Sequence, residues 1–373
     1  MTSTRKLLVL TLFLFLAGGA VFASLLYTPA RRATTNTSLA ETSVKIAAPQ
    51  TETESNTAPE ETLLEPETVA RPLSILAVGD IMLGRYVQTL MEQRGEDYPF
   101  EKIGDLFTSH DVVLANLEGP IIDGPKTPNN SLIFRFPETT AALLARHGIT
   151  HVSLANNHTM NQGQEGLANT RTLLANENIT TFGDPASEEI GRATTSHNTF
   201  KSIEWIGVNA ALRSVDREHI IQRINEATDP IGAPDFVVVF VHWGNEYQHT
   251  PSAVQRELAH EWIDAGADVV IGQHPHVIQT VELYNDHLIF YSLGNFIFDQ
   301  YFSEDTQEML AVNLLLEDET VTAKLIPLNS SRSQPQTADE NRRTDILRKL
   351  ADWSDARIRD AILKGEFVLR RTP

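Results

Sequence analysis

Five apolar runs punctuate this chain, and each ends in residues that do not belong in a core. The runs are Leu73–Val78, Val112–Ala115, Ile149–Ala155, Phe236–Val241 and Val269–Ile271. Short apolar runs bounded by turn residues read as buried strands. Between them the spacing predicts helices over Tyr86–Arg94, Glu138–His147, Gly166–Asn176, Ile220–Ala227 and Ser252–Ala265. Thr250-Pro251 marks the start of the last of these helices and Gly266 its end. Strands alternating with helices imply an α/β fold with parallel pairing. The strand–helix–strand unit around Ser252–Ala265 puts the strands leading to His242 and His274 parallel to each other. Phe200–Leu212 is expected to hold edge strands, with Trp205 in the core. Glu308–Glu317 and Thr320–Ile326 alternate as a closing hairpin. Asn341–Arg371 reads as a charged helix that either packs on the domain or lies outside it.

The pattern before Leu73 is different. Leu7–Tyr27 is an uncharged, largely apolar run preceded by Arg5-Lys6. At about 1.5 Å per residue, such a run can cross a hydrocarbon core of about 30 Å. It fits either a cleaved signal peptide or a retained signal-anchor, and its length favours the anchor. The rest of the chain is then extracytoplasmic, on a single-pass cell-membrane protein. Thr28–Ala70 has no aromatic residue, and its three basic residues against seven glutamates leave a net of −4. That composition predicts a disordered tether. The expected organisation is therefore 1–27 stub and transmembrane anchor, 28–70 linker, 71–328 folded domain and 329–373 charged helical tail.

Composition narrows the chemistry. The 373 residues include no cysteine, so any metal must be held by His, Asp, Glu or Asn. A formal net charge of −19 builds no broad basic face and argues against nucleic acid as a partner.

The polar residues that close the strands carry the candidate chemistry. Gly272-Gln273-His274-Pro275-His276 places two imidazoles two residues apart, able to point the same way in extended backbone. Asp80 stands between glycines, Asn116 and Glu118 precede Gly119-Pro120, and Asn156-Asn157-His158 follows the third run. Taken singly, Asp80 fits a helix cap and the asparagines fit a tight turn. His151, His249 and His260 read as structural or surface residues. Strand carboxyl ends are where α/β sheets bind ligands, and Asp80, Glu118, Asn157, His158, His242, His274 and His276 all fall there. Mixed carboxylate, amide and imidazole ligands suit Mn, Zn, Fe or Mg, as one or two divalent ions.

Six motifs in order make a resemblance. Val78–Arg85, Ala115–Pro120, Ala155–His158, His242-Trp243-Gly244, Gly272–His276 and Ser292–Phe296 resemble the bacterial capsule-synthesis CapA family, associated with poly-gamma-glutamate. That family is similar to the calcineurin-like metallophosphoesterases, whose core is a four-layer α/β/β/α sandwich. The resemblance implies Asp80, Glu118, Asn157, His242, His274 and His276 as metal ligands, with Glu118 bridging and His158 as catalytic proton donor. Arg85, Asn156 and Asn295 are expected to orient an anionic substrate, either a poly-gamma-glutamate-like polymer or a phosphoester. The same resemblance points to polymer synthase subunits as partners. One departure stands out: Met82 occupies the place where phosphoesterases carry a histidine, and a thioether is a poor ligand for a hard ion.

Overall fold

The computed structural model describes residues 72–185, 192–195, 202–211, 214–228, 236–317 and 319–371. The expected anchor and tether, 1–27 and 28–70, lie outside the described residues. Among the described residues no helix is long and apolar enough to cross a membrane.

The chain opens with β1 (Leu73–Ile81), β2 (Val112–Leu117), β3 (His151–Ser153) and β4 (Thr180–Phe182), linked by α1 (Arg85–Arg94), α2 (Thr140–Arg146) and α3 (Gly163–Asn176). These four strands pair in parallel in chain order. A second sheet follows: β5 (Arg192–Thr195), β6 (Ile203–Ala210), α4 (Arg217–Ala227), β7 (Phe236–Trp243), α5 (Ala253–Asp264), β8 (Val269–Gln273), β9 (Val281–Tyr284) and β10 (His287–Phe290). Its order is β5-β6-β7-β8-β10-β9. The chain then returns to the first sheet with β11 (Asn295–Ile297), β12 (Glu308–Leu316), β13 (Thr320–Ser331), β14 (Gln334–Thr337), α6 (Glu340–Trp353), α7 (Arg359–Lys364) and β15 (Glu366–Arg370).

Side-chain alternation divides the core into three parts. Leu73, Ile75 and Ala77 of β1 pack with Phe236, Val238 and Phe240 of β7, so the two sheets face each other. Leu76 and Val78 point the other way, onto Val87, Leu144 and Leu174 of α1–α3. Val237, Val239 and Val241 meet Ile224, Leu258 and Trp262 of α4 and α5. The order through the molecule is helices, sheet, sheet, helices. Strands buried on both faces read as unbroken apolar runs, which is why the pattern was so plain in sequence.

Several expectations meet the structure directly. β7 and β8 are parallel, and α5 starts with a full capping box between Ser252 and Gln255. The closing hairpin is present as β12 and β13, antiparallel over its length. Residues expected as edge strands around Trp205 form β6, which lies between β5 and β7 rather than at an edge. The segment 341–371 is not one charged helix. It breaks at Ser354, continues as α7, and returns as β15, which pairs with β13. Ile346, Leu347 and Leu350 of α6 reach the core between the sheets, so this tail is part of the fold.

Candidate metal centre

A one-residue bulge sets the first functional side chain. Ala77 pairs with Leu114, and the next paired positions are Asp80 and Asn116, so β1 carries one residue more than β2. Without the bulge Asp80 would share the helix-facing side of Leu76 and Val78. With it, Asp80 turns to the seam between the sheets. Asn116 and Glu118 continue the seam-facing phase of Leu114. His242 continues that of Phe240 from the opposite sheet. The site therefore forms where the carboxyl ends of two facing sheets meet, not at the rim of one open sheet.

Close backbone approach closes this end of the seam. A Cβ at Gly79 would sit 1.9 Å from Gly294 O, and one at Gly272 would sit 2.0 Å from Tyr291 O. Only glycine lets these strands come so near. The two-histidine loop is not extended: His274 has φ 95 and His276 φ 59, both left-handed. Such backbone is uncommon for non-glycine residues and costs of order 1–3 kcal/mol per residue, so the surrounding packing must hold it. The Tyr247 N–H, donated to Pro275 O at 2.8 Å, is one such restraint.

The seven strand-end residues converge. Asp80 Oδ1 accepts from Asn116 Nδ2 at 2.7 Å, and Asp80 Oδ2 accepts from the His274 backbone N–H at 3.3 Å. His276 Nδ1 lies 3.4 Å from Asp80 Oδ2, and its Nε2 lies 3.9 Å from Glu118 Oε1. His158 Nε2 approaches the same Glu118 oxygen at 3.7 Å. Asn157 Oδ1 pairs with His242 Nε2 at 2.8 Å, and the rings of His242 and His274 are 4.6 Å apart.

Glu118 is the anomaly within this cluster. It is fully buried, and neither carboxylate oxygen has a hydrogen-bond partner. Burial, then the neighbouring charges of Asp80 and Glu246, push its carboxyl well above the ordinary range. His274 Nδ1 is likewise buried and unpartnered, and burial, then His276, lowers its pKa to about 4. Buried polar groups are normally paired, and a buried carboxylate beside a second carboxylate calls for a cation. Carboxylate oxygens with neutral imidazoles form a donor set that fits a divalent ion. On this ground the residues present suit the metal that the resemblance implies.

The other expected residues take different places. Arg85 directs Nε and Nη2 to Asp299 and Nη1 to Ser131 O, with the guanidinium over the Phe134 ring at 4.9 Å. This is a buried salt bridge, which the sequence pattern did not reveal. Asn156 is also turned inward: its Nδ2 donates to Asn116 Oδ1 and Leu117 O, while its Oδ1 accepts from the backbone of His158 and Thr159. Asn295 Oδ1 accepts from His276 Nδ1 at 2.9 Å, so it orients that ring and leaves Nε2 toward Glu118. All three are nearly fully buried, and Asn156 and Asn295 position a ligand-type residue or its loop. Met82 lies in the helix-side core with its sulfur accepting the Gly84 N–H at 3.2 Å. It does not stand in for the missing histidine.

Three contributors were given no role in the sequence reading, although Asn116 was singled out at its strand end. Asn116 bridges Asp80 and His242, at 3.2 Å from His242 Nδ1. Asn161 Oδ1 pairs with His158 Nδ1 at 3.0 Å and accepts the Phe134 N–H at 2.6 Å. Glu246, four residues past His242, groups with His274 and His276. The visible signal for Asn116 and Glu246 was their place just past the apolar runs. Asn161 offered none.

The description "Bacterial capsule synthesis protein PGA_cap" matches residues 74–300 of this chain. The PGA biosynthesis protein CapA of Bacillus subtilis is 32% identical over 302 residues, covering 76% of this chain and 79% of that protein. The capsule biosynthesis protein CapA of Bacillus anthracis is 31% identical over 293 residues, covering 72% and 71%. A probable polyglutamine synthesis accessory protein of Mycobacterium tuberculosis is 28% identical over 267 residues, covering 62% and 70%. Among solved structures, a Vps29 single mutant from Entamoeba histolytica aligns over 59% of this chain and 96% of that one at 12% identity. Its TM-score is 0.28. With more than half its length matched, and a relative above 30% identity covered over three quarters, the chain belongs to the bacterial capsule synthesis protein PGA_cap family.

Proposed function

We propose that this protein is a membrane-anchored, extracytoplasmic CapA-type protein in the synthesis or export of a poly-gamma-glutamate-like polymer, with a metal-dependent hydrolase or transferase site. The anchor rests on the uncharged run Leu7–Tyr27. The polymer rests on the relatives named for PGA and capsule biosynthesis. One observation carries the metal-dependent site: Glu118, buried with both oxygens unpartnered, beside Asp80 and His276.

Asp80, Glu118 and His276 would hold the ion, with His274, Asn157 and His242 around them. A divalent ion there would supply Lewis-acid polarisation of a phosphoryl or carbonyl oxygen. The chain's own residues do the rest. Asn161 accepts from Nδ1 of His158 and so leaves Nε2 as the pocket-side nitrogen that exchanges a proton with a leaving oxygen. Burial, the largest influence on His158, holds its pKa below the ordinary value, which makes its protonated form the stronger acid. Phe134 stacks on His158 at 4.0 Å and keeps water from that ring face.

The test is surface polymer in cells carrying Glu118→Gln or His276→Ala. Loss of polymer with normal protein abundance supports the proposal. Full polymer in both variants refutes a required metal site. A non-enzymatic scaffold of a polymer synthase complex is the second reading, favoured by Met82 buried where a ligand is expected. A general phosphoesterase is distinguished by turnover of a chromogenic phosphodiester with Mn in cells or strains that make no polymer.

A further inference from the structure

An exposed carboxylate, Glu246, stands beside the same cluster. Ligand atoms of Glu246, His274 and His276 lie within 4.8 Å of one another, a group separate from Asp80, Glu118 and His276 that shares His276. We propose that Glu246 is a metal ligand, a third carboxylate that completes the ion's shell from the solvent side together with His274.

Three further observations agree with this. His274 is 5% exposed, and its Nδ1 has no hydrogen-bond partner, so a buried donor atom in this group awaits something. The loop that carries Glu246 is built against the two-histidine loop. Tyr247 takes a left-handed φ of 62 and donates its N–H to Pro275 O, between the two histidines. At Gly244, with φ +88, an added Cβ would meet the Gln255 side chain at 2.6 Å, so this turn is tightly seated.

The chemistry has a consequence for ion choice. With Asp80 and Glu118, Glu246 brings the carboxylates at the centre to three. Oxygen-rich sites favour hard ions such as Mn or Mg over Zn, which takes imidazole readily. Glu246 thus biases the centre toward Mn. An exposed carboxylate also costs little to carry when no ion is present, unlike Glu118.

This inference rests on the metal-dependent reading above, and the experiment separates the two. Calorimetric titration of the full chain with Mn, and separately with Zn, is compared for wild type, Glu246→Gln and His276→Ala. Glu246→Gln is expected to weaken Mn binding about tenfold or more, by analogy with the loss of even an outer partner at metal sites, and to weaken Zn less. Its melting temperature in chelator should match wild type, because the residue is exposed. The loss of Mn affinity should persist at high salt, where a mere field effect would be screened. Wild-type Mn affinity in Glu246→Gln, with binding lost in His276→Ala, overturns this inference and leaves the metal-dependent reading standing. A loss that vanishes at high salt also overturns it. Absence of any ion in wild type overturns both.

Discussion

Glu118→Gln should make the ion-free protein more stable and deaf to metal. The carboxylate is completely buried without a hydrogen-bond partner, and the imidazole nitrogens nearest to it are 3.7 and 3.9 Å away. Without an ion it must either protonate or stay charged and unpaired. An unsatisfied buried polar group costs about 1–3 kcal/mol, and an ionised one more. Glutamine keeps the shape and stays an unpaired neutral polar group, so only the excess due to the charge disappears, itself about 1–3 kcal/mol. For roughly 300 folded residues at about 2.1 cal/mol/K each, the unfolding entropy is near 0.6 kcal/mol/K, and the expected rise in Tm is about 2–5 °C. Mn at a hundredfold excess over its Kd should stabilise the wild type by about 2.7 kcal/mol, or about 4 °C, and the variant by far less. Differential scanning calorimetry in chelator and in Mn measures all four states. A variant that melts below wild type in chelator, yet gains the full increment with Mn, would refute the reasoning.

Three other outcomes follow from the same structure. His151 is buried beside Trp205, hydrogen-bonded to Thr195 Oγ1 at 2.7 Å, and burial lowers its pKa to about 4 from 6.5. The unfolded chain therefore binds more protons between those values, so stability present above pH 6.5 is lost as pH falls toward 4, by up to about 3 kcal/mol. Urea midpoints at pH 7 and 4.5 should diverge less in His151→Gln than in wild type, and equal divergence would exclude this residue as a cause. Gly272→Ala places a Cβ 2.0 Å from Tyr291 O and 2.5 Å from Trp243 Nε1, both in the fixed interior. It should unfold the protein or cost more than about 3 kcal/mol, and a shift under 1 kcal/mol by denaturant titration would contradict the close approach. Asn161→Ala frees both the His158 ring and the Phe134 backbone. NMR of the imidazole should show the His158 tautomer becoming mixed, whereas an unchanged spectrum would remove Asn161 as its positioning residue.

Much of the site was legible because buried strands write themselves as apolar runs and polar residues at their ends stand out. Asp80, Glu118, Asn157, His158, His242, His274 and His276 were all marked in that way, and the structure gathers them. What the runs do not carry is which sheet each strand joins. β1 and β7 look alike in sequence, yet belong to facing sheets, so the apolar runs alone pointed to an open-sheet rim and only the family resemblance implied a two-sheet sandwich. The bulge that turns Asp80 into that seam depends on pairing with β2 and leaves no mark of its own. The internal partners of Arg85, Asn156 and Asn295 could not be read from the sequence for a related reason. A polar residue at a strand end can face the pocket or hold the loop, and only the partners Asp299, Asn116 and His276 decide. The tail was opaque because its charged outer face hides the buried Ile346, Leu347 and Leu350.

The proposed function requires a divalent ion to bind between Glu118 and His276. Anomalous diffraction from crystals of the protein soaked in Mn tests it most directly. A peak is expected within about 2.2 Å of a Glu118 carboxylate oxygen and of His276 Nε2, typical of oxygen and imidazole ligands. Crystals that diffract well and show no peak there, or show one only elsewhere, would contradict it.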